Sequence, residues 1–196
     1  MKSFLSVLGV LIIIAAILIL PRINNVPKLD EAVNAAWAQV DNQYKRRADL
    51  IPNLVATVKG YASHEKEVFT QVTEARAKVG QITLTPEMLN DPKALEMFQN
   101  AQDSLSSALS RLLAVSENYP DLKANQNFIN LQAQLEGTEN RIAVARKDYI
   151  KAVKDYNVEL RTIPGKWVAA LLYPEAEIKQ TFTATPAEQK NPEVAF

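Results

Sequence analysis

The chain has one histidine, His64, and most metal and triad chemistries would have to pass through it. A zincin needs HExxH, but Glu65 and Glu67 are followed by no second histidine. A serine triad needs a nucleophile elbow, and no GxSxG surrounds any serine. A di-iron bundle takes a Glu-x-x-His pair from each of two helices, which a single histidine cannot supply. Cysteine is absent, so thiolate nucleophiles, disulfides and cysteine-ligated zinc are excluded together. The glycines are scattered, and neither GxGxxG nor GxxxxGK[ST] occurs, so no phosphate cradle is encoded. His64 reads as a polar residue on a helix surface.

Carboxylates and arginines offer the next possibilities. Glu136 and Glu139 lie one helical turn apart in LEGTENR, beside Asn140 and Arg141. With Asp41 or Asp49 from another helix they could form an all-oxygen metal site; the simpler reading is ion pairs at the surface or between helices. Arg46, Arg47, Asp49 and Asn53 flank Pro52, either as a partner-binding patch or as a polar network between helices. A proline inside a helix frees the carbonyl four residues back, that of Ala48, and a nearby arginine or the Asn53 amide could satisfy it. The candidate partner-binding or network set is therefore Asp41, Arg46, Arg47, Asp49, Asn53, His64, Glu136, Glu139, Asn140 and Arg141. None of these is assigned as catalytic or as a metal ligand, and no cofactor or small-molecule substrate is indicated.

The elements that must position these residues are helices. From Leu29, apolar positions run Val33, Trp37, Val40, Tyr44, then Ile51, Leu54, Val58, Tyr61, then Phe69, Val72, Ala75, Val79. Spacings of three and four mark one helical stripe. Its phase persists across Pro52, which suits a kinked helix; a break with Pro52 at the first position of a new helix is the alternative. Gly80 ends the segment, QITLTPEMLND connects, and Asp91-Pro92 is a helix start with Asp as N-cap. A second stripe runs Leu95, Phe98, Gln102, Leu105, Leu109, Leu112, Ser116, Tyr119, and ENYPDLKANQN follows as a loop. Phe128, Leu131, Leu135, Thr138, Ile142, Ala145, Tyr149, Ala152, Tyr156, Leu160 and Ile163 form the most regular stripe, which Pro164-Gly165 stops. The expected fold is all-α: an N-terminal transmembrane helix, then an up-and-down antiparallel bundle of three to four long helices.

Residues 4–20 carry no charge and would span about 25 Å as a helix, with Lys2 and Arg22 placed to reach the headgroups. The sequence ILILPRINN that follows lacks a small-residue cleavage site, so the segment reads as an uncleaved anchor. Residues 1–22 are then the anchor, 23–166 the bundle, and 167–196 an apolar segment and a flexible tail from Thr181. Residues 167–173 suit either a cap on the bundle end or a membrane interface. Four antiparallel helices would return them to the bilayer side; three would leave them at the far end. More basic residues follow the span than precede it, which places the bundle in the cytoplasm. With 22 Lys plus Arg against 22 Asp plus Glu, the chain has no basic excess, and nucleic acid is not expected as a partner.

Several long runs resemble the LemA family: WAQVDNQYKRRADLIPNLVATVKGYASHE, VTEARAKV, LSRLLAVSENYPDLKANQNFINLQAQLEGTENRIAVARKDYIKAVKDYN and the terminal NPEVAF. The resemblance implies a bacterial plasma-membrane protein with one N-terminal span and a cytoplasmic four-helix domain. No established enzymatic activity comes with it, and hence no catalytic residue is carried over. KWVAALLYPEAEIKQTF departs from the glycine- and phenylalanine-rich run of relatives. The function read from the sequence is a non-enzymatic, membrane-anchored scaffold or interaction module with a protein partner or a homo-oligomer. The alternatives are a metal-binding or metal-dependent hydrolytic protein, and membrane remodelling through residues 167–173.

Overall fold

The computed structural model describes residues 20–182 and, before them, Phe4, Val7, Gly9, Val10, Ile13 and Ile17. Among the described residues every regular element is helical. A 3-10 turn at Leu20–Arg22 leads into α1 (Asn25–Tyr61), followed by α2 (Lys66–Gln81) and α3 (Pro92–Val115). The one-turn α4 (Pro120–Lys123), the long α5 (Gln126–Arg161) and the short α6 (Gly165–Leu172) complete the order.

The two long helices, each of the order of 55 Å, form the spine. Asn25 meets Glu159, Arg47 meets Glu139, and Tyr61 meets Asn125, so α1 and α5 run antiparallel along their whole length. The shorter α2 and α3 pack on one another as a hairpin and cover the spine, giving four main helices. Every apolar position read from the α1 stripe between Val33 and Val58 is buried, as are the apolar members of the α3 stripe from Leu95 to Leu112. The core divides into two clusters. One, nearer the start of α1, is aromatic and joins Trp37, Tyr44, Phe98, Tyr149, Tyr156 and Phe182. The other is mainly aliphatic and joins Ile51, Leu54, Val58, Leu105, Leu112 and Leu135.

Pro52 neither ends a helix nor starts one: α1 continues through it to Tyr61. The break lies ten residues later, at Ala62–Glu65, where Ala62 is fully buried and the Glu65 amide donates to the Ala62 carbonyl at 3.1 Å. A single kinked helix reaching Gly80 is thus corrected to two helices, and of the three to four long helices expected the bundle has four. Stripe phase misled because each helix must bury an apolar face of its own, and two such faces can fall in register across a short turn.

The expected helix start at Asp91 is present, with its carboxylate accepting from the Lys93 amide at 2.8 Å. Asn125 caps α5 in the same way, accepting from the Phe128 amide at 3.0 Å. ENYPDLKANQN is more ordered than a loop, since it holds a 3-10 turn at Ser116–Asn118 and then α4.

The segment after Pro164 belongs to the bundle rather than lying outside it. Gly165, Val168 and Ala169 are buried, and residues 173–182 run back along α5 as a strap. Asn157 holds the strap at both backbone polar groups of Lys179, the amide at 2.9 Å and the carbonyl at 2.8 Å. Tyr149 Oη donates to the Gln180 carbonyl at 2.9 Å. Phe182, expected within a flexible tail, is buried and packs on Trp37 and Tyr149 at ring-centroid distances of 6.1 and 5.5 Å. The rest of that tail lies outside the described residues.

Among the described residues no helix is long and apolar enough to cross a membrane. The span expected at residues 4–20 falls largely outside the described set. Where that segment is described, Phe4, Val7, Val10, Ile13 and Ile17 are helical and 56% to 71% exposed.

Candidate functional site

The α1 stripe steps from Tyr44 to Ile51, leaving one helical position between them, and Arg47 occupies it. Arg47 is only 2% exposed. Its Nη1 donates to Ser106 Oγ at 2.9 Å and to Glu139 Oε1 at 3.0 Å. Its Nη2 donates to the Gln102 carbonyl at 3.3 Å and also to Gln102 Oε1. The guanidinium lies 5.0 Å from the centroid of the Tyr44 ring, within cation–π reach. One side chain thereby ties α1 to α3 and α5 at the level where the aromatic and aliphatic clusters meet. Burial raises the Tyr44 phenol above its ordinary range, against the opposing pull of Arg146 and Arg47.

The other candidates do not join this network as a set. Arg46, Asp49, Asn53, Glu136, Asn140 and Arg141 are exposed, as is His64 on the turn between α1 and α2. Asp41 accepts from Lys45 at 2.6 Å, one turn along the same helix, and Glu136 accepts from Gln132 at 3.1 Å. Only Glu139 is brought to Arg47. Among the described residues no three acidic or histidine side chains cluster closely enough to hold a metal ion. The all-oxygen site drawn from Asp41, Asp49, Glu136 and Glu139 is not assembled.

Behind Pro52, the Ala48 carbonyl has lost its helical donor. Arg76 of α2 supplies one, with Nε donating to it at 3.0 Å. The arginine comes from the neighbouring helix rather than from the adjacent Arg46 or Arg47.

Asn140 and Arg141 line a groove between α1 and α5, of about 360 Å³, with Gln39, Gln43, Val144 and Asp148. Val144 is 59% exposed within it, and Gln43 Oε1 is buried there without a hydrogen-bond partner. Sequence reading did not find Gln39, Gln43, Val144 or Asp148, because each is ordinary for an exposed helix face. Gln102 and Ser106 were also missed as partners of Arg47. A signal did exist for Gln102, a polar side chain in an otherwise apolar stripe, which marks a buried group that needs a partner.

Known proteins share this chain's pattern. Magnetosome protein MamQ 2 of Paramagnetospirillum magneticum is 28% identical over 84% of this chain and 66% of its own length. Magnetosome protein MamQ of Magnetospirillum gryphiswaldense is 25% identical over 85% and 66%. Protein LemA of Metamycoplasma hominis is 22% identical over 77% and 65%. The match thus spans just under two thirds of the length of these relatives. The model of the LemA family covers residues 36–196, which takes in most of α1, the other three main helices, the buried arginine and the groove, and the chain belongs to the LemA family.

Proposed function

We propose that the protein is a bacterial plasma-membrane scaffold: a single N-terminal span holds a non-catalytic, cytoplasmic helical bundle that associates with further copies of itself. The observation that carries this reading is the groove between α1 and α5, where exposed Val144 sits among Gln39, Gln43, Asn140, Arg141 and Asp148. An exposed apolar side chain ringed by polar ones, on a face formed by the two longest helices, suits a second helix of the same kind. Confinement to a membrane raises the effective concentration of copies and favours such contacts even when each is weak. Arg47 and Glu139 join helices, and His64 faces solvent. The anchor reading draws on the charge-free run at 4–20 and on its exposed apolar side chains. Two of the relatives are magnetosome proteins by name, which accords with work at a membrane structure.

The chain has no cysteine, so single cysteines can be placed without background. Val144→Cys in the full chain should form disulfide-linked dimers when native membranes are oxidised, whereas Lys59→Cys, on an exposed face elsewhere on α1, should not. A membrane-impermeant thiol reagent should label Lys59→Cys only after the cells are opened. A chain that stays monomeric with both cysteines, and shows no larger species on size measurement in mild detergent, would refute self-association.

A further inference from the structure

Helix α6 reads KWVAALL after its first glycine and, Lys166 aside, is apolar on every side, yet the bundle covers only part of it. Val168 and Ala169 are 3% and 8% exposed, whereas Trp167 and Leu171, one turn apart on the opposite face, are 58% and 80% exposed. Ile163 just before the helix and Leu172 at its end are exposed as well. A helix that is apolar all round needs a second apolar surface, and single exposed residues elsewhere do not raise this demand.

The position of α6 indicates what that surface is. Glu159 near the end of α5 accepts from Asn25 Nδ2 at 3.2 Å and pairs with Arg22 at 3.5 Å. Gly165, the first residue of α6, is pressed against the same Glu159: a Cβ there would lie 2.4 Å from the Glu159 carbonyl oxygen. Arg22, Asn25, Glu159 and Gly165 therefore meet at one end of the bundle. This is the end where the apolar run 4–20 finishes, with Leu20 64% exposed. Four helices, rather than three, bring the chain back to it.

We infer that the outer face of α6, through Trp167 and Leu171, lies on the lipid bilayer surface beside the anchor and fixes the tilt of the bundle. This inference rests on the anchor reading of residues 4–20. Tryptophan is suited to the boundary because its ring is apolar and its indole N–H stays in the wet headgroup layer. Arg161 precedes the helix and Lys166 lies in its first turn, but Glu175 and Glu177 follow it. The contact therefore depends on apolar side chains rather than on anionic headgroups. The span and α6 give two points of attachment, so the bundle is held in one orientation instead of swinging on a hinge at residues 20–24.

The test uses the full chain in phosphatidylcholine vesicles whose acyl chains carry bromine, a short-range quencher of tryptophan. The only other tryptophan, Trp37, is buried in the bundle about 18 Å along α1 from Asn25 and out of bromine's reach. Wild-type protein should lose most of the emission contributed by Trp167, with no change at high salt. Trp167→Tyr should show no quenching. Leu171→Asp should remain in the vesicles through its span, keep its helical content, and lose the quenching. Vesicle-bound wild type whose emission resists bromine would overturn the α6 contact while leaving the anchor intact. Resistance to both bromine and an aqueous quencher would likewise overturn it, because a second copy would then be covering Trp167. Failure of the wild type to float with vesicles would refute the anchor and this inference with it.

Discussion

Arg47 places a charge where the stripe of α1 calls for an apolar side chain, and what surrounds it determines its worth. Its two terminal nitrogens are matched by neutral acceptors on α3 and by one carboxylate, Glu139, whose side chain is 43% exposed, while its buried Nε has no hydrogen-bond partner. Such a partner regains water when the pair is broken, so most of the consequence falls on the arginine's own volume and on Gln102. Arg47→Ala should cost about 3 kcal/mol, from the cavity and the stranded Gln102 amide oxygen. Arg47→Met fills the space and should cost less than about 1.5 kcal/mol. Glu139→Gln, which keeps an acceptor at a half-exposed site, should cost less than about 1 kcal/mol. Urea unfolding of the three variants measures the order; an alanine variant as stable as the methionine one would show that the pocket collapses around the loss. The tyrosines of the aromatic cluster make a second prediction. Burial raises the Tyr149 phenol, and it pushes Tyr156 up to about 12, with Asp30, Glu175 and Glu177 adding to the effect. The ordinary value is 10.0, so the unfolded chain gives up these protons before the folded one does. Their contribution to stability is complete below pH 10 and is lost as the pH climbs from there towards the folded values. Melting temperature should decline above that point, and Tyr149→Phe should make the decline shallower even though it forfeits the bond to Gln180.

Pro52 sits in the interior of α1, where proline is about 3 kcal/mol less favourable than alanine. The structure offsets part of this through Arg76, which reaches from α2 to the Ala48 carbonyl. Pro52→Ala should restore the helical donor and raise stability by about 1 kcal/mol or more. Arg76→Ala alone should lower it by roughly 0.5–1 kcal/mol. With both changes together the arginine becomes redundant, so its removal should then cost almost nothing. A double-mutant cycle by thermal unfolding measures this coupling, and additive effects would mean that Arg76 does not answer the proline. The same segment shows how far sequence reading reaches. Helical periodicity gave the long helices, the Asp91 cap and the buried faces, because those depend on local spacing and on which side chains avoid water. It did not reveal the break at Ala62–Glu65, which no proline marks and which apolar phase bridges. Nor did it show that Arg47 turns inward while its neighbours Arg46 and Asp49 face water. One helical position separates these outcomes, and the acceptors that decide it come from α3 and α5, far away in the chain.

At the scale of the whole molecule, the strap after α6 closes the bundle at the end that the anchor reading assigns to the membrane. Phe182 completes an aromatic group in which Trp37 also meets Phe98 at 5.3 Å and Tyr149 at 5.4 Å. The Arg146 guanidinium covers the outer side of the Phe182 ring at 4.5 Å. Upstream, Lys179 is pinned by Asn157 and pairs with Asp30 at 2.9 Å, so the strap links α5 back to the first turns of α1. If Phe182 acts as the peg of this strap, its loss should be felt across the bundle. Phe182→Ala should cost about 3 kcal/mol, the low end for a buried phenylalanine because one face meets only the arginine. For a chain of this size that corresponds to a fall in melting temperature of roughly 6 to 12 °C. Trp37 should shift its emission to the red as water enters beside it, and this is best read in a Trp167→Tyr background that leaves Trp37 as the sole reporter. Trp167→Tyr on its own should leave the melting temperature unchanged, since its ring is not part of the core. A Phe182→Ala chain that melts with the wild type would mean that the strap rides on the bundle without bracing it.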